Sequence, residues 1–294
     1  MSDSPSAQLP APTPESQGFV IDLDRDLRQG TLKIAGFPRI TGEVLRQLGD
    51  DFGSSYQLAR LISREPDLAA RIIGMANSVA FRPAGRAPRE LGAAIARLGH
   101  DTLRVVLFAF SLSVVRGLPE YVVVREPIAR LWERSIRMSS LCRGLSANIS
   151  DIPKDSVILA GLLHSMGKIF LLARAAWYAP ILDDTLGLEH VLAGWHARVA
   201  ESLLKDWDFD PAIITAVTRY DRIGSGDQPT RLTDMVALGD SLVDLSSAEG
   251  EADPWAAVLS QSPPARRLGF VQMDPAALRT LVAEESEQLM VVLN

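Results

Sequence analysis

Residues able to do acid–base, nucleophilic or metal chemistry are few in this chain and thinly spread. The histidines are His100, His164, His190 and His196, and Cys142 is the only cysteine. A single thiol forms neither an intrachain disulfide nor a cysteine-based zinc site. Set near Met138, Leu141 and Leu145, Cys142 reads as a small core residue. A neutral imidazole can offer a lone pair to a divalent ion, which then lowers the pKa of bound water, but that chemistry needs several converging donors. His190 and His196 are six apart, on opposite sides of a helix rather than on one i, i+4 face. His100 follows Gly99 and reads as a turn residue. The densest segment is AGLLHSMGKIFLL, Ala160 to Leu172, which holds His164, Ser165 and Lys168. No GxxxxGKS loop, GxGxxG turn, HExxH helix or GxSxG elbow occurs.

The elements that must position these residues read as helices. Leu58, Leu61 and Ile62 form one short stripe, and Leu68, Ile72, Met75 and Ala76 form another after Pro66. A third, with Leu91, Ala94, Ile95 and Leu98, starts at Pro88 and stops at Gly99. Val105 to Val115 is apolar all round and therefore buried, yet it is only about half of the ~20 residues of a membrane span. A long helix carries Ile128 through Leu145, Pro153 opens the helix ending in GLLHSMGK, and Leu188 to Leu203 forms another stripe. Asp-Pro pairs at 210–211, 253–254 and 274–275 mark helix starts: the aspartate accepts a free N–H and proline needs none. Tyr121–Val124 is the nearest approach to a strand and too short to build a sheet. The chain is predicted to be all-α.

Around that core, residues 1–29 read as a disordered N-terminal tail and lead-in, from the Ser/Pro/Ala/Gln-rich opening. Residues 117–126 divide two helical lobes, and Arg222–Thr230 is a looser stretch. The acidic run Glu249–Asp253 reads as a solvated loop, and the five tryptophans as core. A net charge of −6, with no basic run, argues against direct nucleic-acid binding. With no export signal and no span, a cytoplasmic protein without membrane insertion is expected.

Several segments resemble a known family in the same order. These are LARLISREPDLAARIIGMANSVAF (Leu58–Phe81), LGAAIARLGHDTLRVVLFAF (Leu91–Phe110) and LWERSIRMSSLCRGLS (Leu131–Ser146). The GLLHSMGK segment and HARVAESLLKDWDF (His196–Phe209) follow. Together they are similar to the HDOD domain, a variant of the HD hydrolase superfamily common in bacterial signalling. The resemblance covers roughly residues 30–245. It implies a two-lobed helical bundle of HD-domain, phosphodiesterase-like type, with lobes at about 30–117 and 126–245. Residues 246–294 would be a helical extension packing on the second lobe.

In the superfamily the segment reads (A/G)xLLHDxGK, and the adjacent His and Asp ligate a metal. Here the Asp position is Ser165, a poor ligand, and the position where many relatives carry His is Arg134. A guanidinium has no lone pair to give and repels a cation. The family's later His pair falls at Arg219-Tyr220 or Tyr220-Asp221, while His196 and Asp240 match residues often seen in relatives. The GYP sequence of cyclic-di-GMP-cleaving relatives is missing. Arg134, His164, Ser165, Lys168, His196 and Asp240 are therefore the candidates for a degenerate cleft. Each also has a plainer reading. His164 is expected to donate a hydrogen bond inside the core, and His196 to be structural. Lys168 is expected to interact with a helix C-terminus. Arg134 is either a surface residue or a cation filling the metal's place, paired with Asp240.

The resemblance thus implies a non-catalytic bacterial regulatory module with no metal and no cofactor. It would bind a signalling protein partner or a small signalling ligand. The rival readings are a metal-dependent phosphohydrolase acting on a nucleotide or cyclic dinucleotide, using His164, His196 and Asp240, and a cyclic-dinucleotide sensor without hydrolysis.

Overall fold

The computed structural model describes residues 13–33, 36–49, 54–78, 87–147, 149–222, 229–245, 254–280 and 282–283. It is all-α and two-lobed: among the described residues there is no strand, and Tyr121 to Val124 forms turns. The first lobe contains α2 (Arg39–Gly49), α3 (Ser55–Ile62), α4 (Pro66–Asn77) and α5 (Leu91–Gly117). Ser54 starts α3 with a reciprocal cap, in which its hydroxyl accepts from the Gln57 N–H and the Gln57 side chain accepts from the Ser54 N–H. The Leu68, Ile72, Met75 and Ala76 stripe is buried, and α3 and α4 pack on α5. The helix expected from Pro88 begins at Leu91 and does not end at Gly99. Gly99 adopts φ 74°, ψ 172°, a conformation available to a residue without Cβ, and makes a kink after which the helix resumes. His100 accordingly sits in helix, not in a turn.

The second lobe comprises α6 (Arg125–Ser146), α7 (Lys154–Leu163), α8 (Met166–Ala175), α9 (Ala179–Asp183), α10 (Thr185–Asp206), α11 (Pro211–Arg219) and α12 (Arg231–Leu242). Two glycines set its close approaches. A Cβ on Gly161 of α7 would lie 2.5 Å from the Ser139 Cα of α6, and one on Gly167 of α8 would collide with the His196 carbonyl of α10. The α7–α8 corner is thereby pressed between α6 and α10. Asp210 and Asp274 accept from Ala212 and Ala276 N–H groups beside their prolines, as the Asp-Pro pattern predicts. Asp253 and the acidic run Glu249–Asp253 lie outside the described residues.

Beyond α12, α13 (Pro254–Gln261) and α14 (Pro263–Leu268) pack against it. Arg267 holds the buried Asp234 with both carboxylate oxygens engaged, at 2.7 and 2.6 Å.

Three expectations need correction. The stretch 1–29 is not simply a disordered lead-in, because Pro14–Gln29 forms a helix, α1. Thr13 caps it, Pro14 fills its first turn, and left-handed Gly30 (φ 63°) ends it. Phe19 and Leu23 are buried, and Asp24 and Asp26 pair with Arg198 and Arg174 of the second lobe. Residues 1–12 lie outside the described residues. Trp177 is not core: it is 56% exposed and donates to the Tyr121 hydroxyl at 2.9 Å. Finally, Leu91–Gly117 and Lys154–Ala175 are long and apolar enough to cross a membrane, more than the Val105–Val115 run suggested. Both are core: their most apolar windows are 67% and 89% buried. The second also bends at the His164–Ser165 corner.

Candidate functional site

The α7–α8 corner presents His164 and Ser165, both almost fully buried. α6 brings Arg134 to the corner and α12 brings Asp240, with Asp244 just beyond its end. The His164 Nδ1 lies 2.7 Å from the Gly161 carbonyl oxygen. A carbonyl only accepts, so Nδ1 carries the proton and Nε2 presents its lone pair. That lone pair faces Arg134 Nη1 at 2.8 Å and the Ser165 hydroxyl at 2.8 Å. Burial, with Arg134 and Lys168 nearby, pushes the His164 pKa down to about 3, so the imidazole is neutral.

Arg134 has five N–H donors, and every one has an acceptor. Nη1 serves His164 and Asp240 Oδ1 (3.0 Å), Nε and Nη2 serve Asp244 Oδ2 (3.1 and 3.0 Å), and Nη2 also reaches the Asp240 carbonyl at 3.4 Å. Burial opposes the charge, and Asp244 and Asp240 more than compensate, holding the guanidinium pKa above its ordinary value. Of the two readings of Arg134, the structure shows the paired one.

The other candidates fall nearby. His196 on α10 pairs through Nε2 with Asp221 Oδ2 at 3.1 Å. Burial alone would raise the Asp221 carboxyl, but His196 and Arg222 outweigh it and lower its pKa. Tyr220, the neighbouring residue, sets its ring edge-on to His164 with centroids 6.0 Å apart. Burial, with Asp240 and Asp221, raises its phenol pKa, which keeps it protonated. Tyr220, common to both placements of the family's later His pair, thus faces the corner with a phenol. Lys168 cannot serve the C-terminus of its own helix, because it stands in the first turn of α8. It is half-buried and has no hydrogen-bond or ion-pair partner among the described residues. Asp244 was not visible as a site residue in the sequence. Its only signal is the i, i+4 spacing from Asp240 in ALGDSLVD.

The HD resemblance implies a divalent ion at this corner, and the residues present do not fit one. The imidazole lone pair and the Asp240 carboxylate already bind a guanidinium, and the position beside His164 holds an alcohol. No cluster of three or more His, Cys, Asp or Glu suited to a metal occurs among the described residues. Nor is Ser165–His164 a nucleophile–base pair: the serine is 2% exposed, and a base with so low a pKa takes no proton near neutrality.

A helical bundle with an HD-like corner and a substituted centre defines the class of this protein. The HDOD domain model matches residues 34–223, well over half of the chain, and the chain belongs to the HDOD family. Solved structures agree on the fold. A candidate metal-dependent phosphohydrolase from Shewanella amazonensis SB2B superposes with TM-score 0.68 at 18% identity, covering 96% of this chain and 100% of that one. An HDOD domain protein with unknown function from Geobacter sulfurreducens gives 0.53 at 19%, covering 93% and 95%. A candidate signal transduction protein from Marinobacter aquaeolei VT8 gives 0.55 at 17%, covering 98% and 67%. No curated protein matches the chain.

Proposed function

We propose that this protein is a non-catalytic regulatory HDOD module that engages a signalling partner or small ligand at its substituted HD corner. One observation carries the reading. Arg134 sits where a metal would draw together His164 and Asp240, and it binds both. A guanidinium supplies the cation that keeps α6, α7 and α12 together, but it cannot activate water. The phosphohydrolase rival lacks an available donor set, since His196 is paired with Asp221 and Asp240 with Arg134. The cyclic-dinucleotide sensor is weakened by Asp240 and Asp244, which neutralise the arginine meant to receive phosphate. Lys168 remains the one candidate cation at the corner without a partner among the described residues.

Metal analysis of the purified protein tests the first half. Only traces of Fe, Mn or Zn are expected; about one ion per chain, with phosphodiester cleavage lost on chelation, would show an enzyme instead. Affinity capture with wild-type, Arg134→Ala and Lys168→Glu proteins tests the second. A partner lost in the variants supports the corner as the binding surface, and identical captures move that surface elsewhere.

A further inference from the structure

A cavity of about 460 Å³ opens between the lobes, away from the Arg134 cluster: none of the corner candidates lines it. Its size falls within the ~300–1,000 Å³ usual for small-molecule sites. The buried part of its wall is mostly apolar, made by Leu32, Phe108 of α5, Met166 and Phe170 of α8 and Leu203 of α10; its one buried polar residue among those described, Thr41, spends its hydroxyl on Ser111 at 2.6 Å. Phe37 and Trp207, each half-buried, add aromatic faces. The exposed rim is cationic. Lys33 has no partner among the described residues, and Arg39, 95% exposed, has only a 3.9 Å approach from Glu43. The N-terminus of α2 also opens onto the cavity, through Pro38, Arg39 and Thr41, and its first turn holds no acidic residue to offset the helix dipole. Among the described residues, no aspartate or glutamate lines the cavity.

A mostly apolar floor beneath a cationic rim selects a ligand with the opposite arrangement. We propose that this cavity binds an amphipathic small-molecule anion, its aromatic or alkyl body against Phe108, Met166 and Phe170 and its acidic head at Lys33 and Arg39. Because the walls come from both lobes, occupancy would bias their relative packing and supply the module with an input. The binding itself does not depend on whether the Arg134 corner takes a metal.

The test uses the full chain and two fluorescent probes of nearly one shape, anilinonaphthalene sulfonate and its uncharged parent N-phenylnaphthylamine. The anion should bind saturably and about fivefold tighter than the neutral probe, the effect of roughly 1 kcal/mol between charges a few ångströms apart in water. Raised salt should narrow that gap. A Cβ at Gly42, a lining residue of α2, meets nothing within 4 Å, so Gly42→Trp places its bulk at the mouth from an open position, and Leu45→Trp adds bulk from the next turn. Both variants should weaken both probes by about tenfold, roughly 1.4 kcal/mol, with the thermal midpoint unchanged. Lys33→Glu with Arg39→Glu should abolish the preference for the anion and leave the neutral probe as before. Equal affinity for the two probes in the wild type, or binding that survives both blocking variants, would overturn the proposal. Metal content of the same samples reports separately on the Arg134 reading.

Discussion

At Arg134 an imidazole and two carboxylates share one guanidinium, so its removal leaves several groups without a counterpart at once. Asp240 is only partly buried and Asp244 largely exposed, so solvent screens part of the loss. Arg134→Met should therefore lower stability by about 1–3 kcal/mol, read from urea unfolding. The double variant with Asp240→Leu should recover part of it, and a loss near zero in the single variant would show the cluster contributes nothing to the fold. His164 makes a pH prediction. Its pKa is depressed by burial and by Arg134 and Lys168, so below about 6.5 the unfolded chain takes a proton that the folded chain refuses. Stability present above that pH is lost as pH falls toward 3, by up to about 1.4 kcal/mol per unit for one proton. Between pH 6.5 and 5, before carboxylates titrate, wild type should lose more stability than His164→Asn; parallel curves would mean the imidazole is protonated in the fold. The same two substitutions that depart from the family suggest a gain of function. Arg134→His with Ser165→Asp should convert the corner into a donor set and raise zinc or manganese content well above wild type, measured by elemental analysis after dialysis. The Arg134–Asp240 pairing was legible because the resemblance placed both residues at the centre. Asp244 was not, since only the packing of α12 on α6 brings it to the guanidinium.

Elements were legible where a stripe coincided with a cap, and blurred where tertiary packing overrode the local signal. The stripe from Leu68 to Ala76 and the Asp210-Pro211 start are of the first kind. Helix α1 is of the second: a Ser/Pro-rich opening masks the Phe19 and Leu23 stripe, which is meaningful only against α9 and α10. Phe19→Ala should accordingly cost about 3–5 kcal/mol, whereas an unpacked lead-in would tolerate it. The glycine of GLLHSMGK also has a tertiary reason that sequence does not display. Gly167 lies against the His196 carbonyl, and Gly194, on the same α10, meets nothing within 4 Å. Gly167→Ala should sharply reduce the yield of folded protein because backbone must move. Gly194→Ala should hold or raise the thermal midpoint, by up to about 1 kcal/mol of helix propensity. Similar outcomes for the two would mean that the α8–α10 contact does not set the corner.

On the scale of the whole molecule, buried residues from Phe19 in α1 to Val282 near the C-terminal end form one connected core, so the lobes and the extension are coupled. Arg267 probes that coupling from the far end. Its guanidinium, 39% exposed, meets an Asp234 carboxylate that is 2% exposed. Arg267→Met keeps most of the side chain's bulk but leaves a carboxylate inside α12's packing without its cation, a loss of about 2–4 kcal/mol. Because α12 also carries Asp240 and packs on α6 and α7, that loss should move the entire unfolding transition. Far-ultraviolet circular dichroism and tryptophan fluorescence should then shift together to lower urea. Asp234→Asn in the Arg267→Met background should recover part of the loss, because an amide is far cheaper to bury than a charge. If instead both midpoints stay put while proteases cleave between α12 and α14, the extension is a separable appendage, and the lobes complete their core without it.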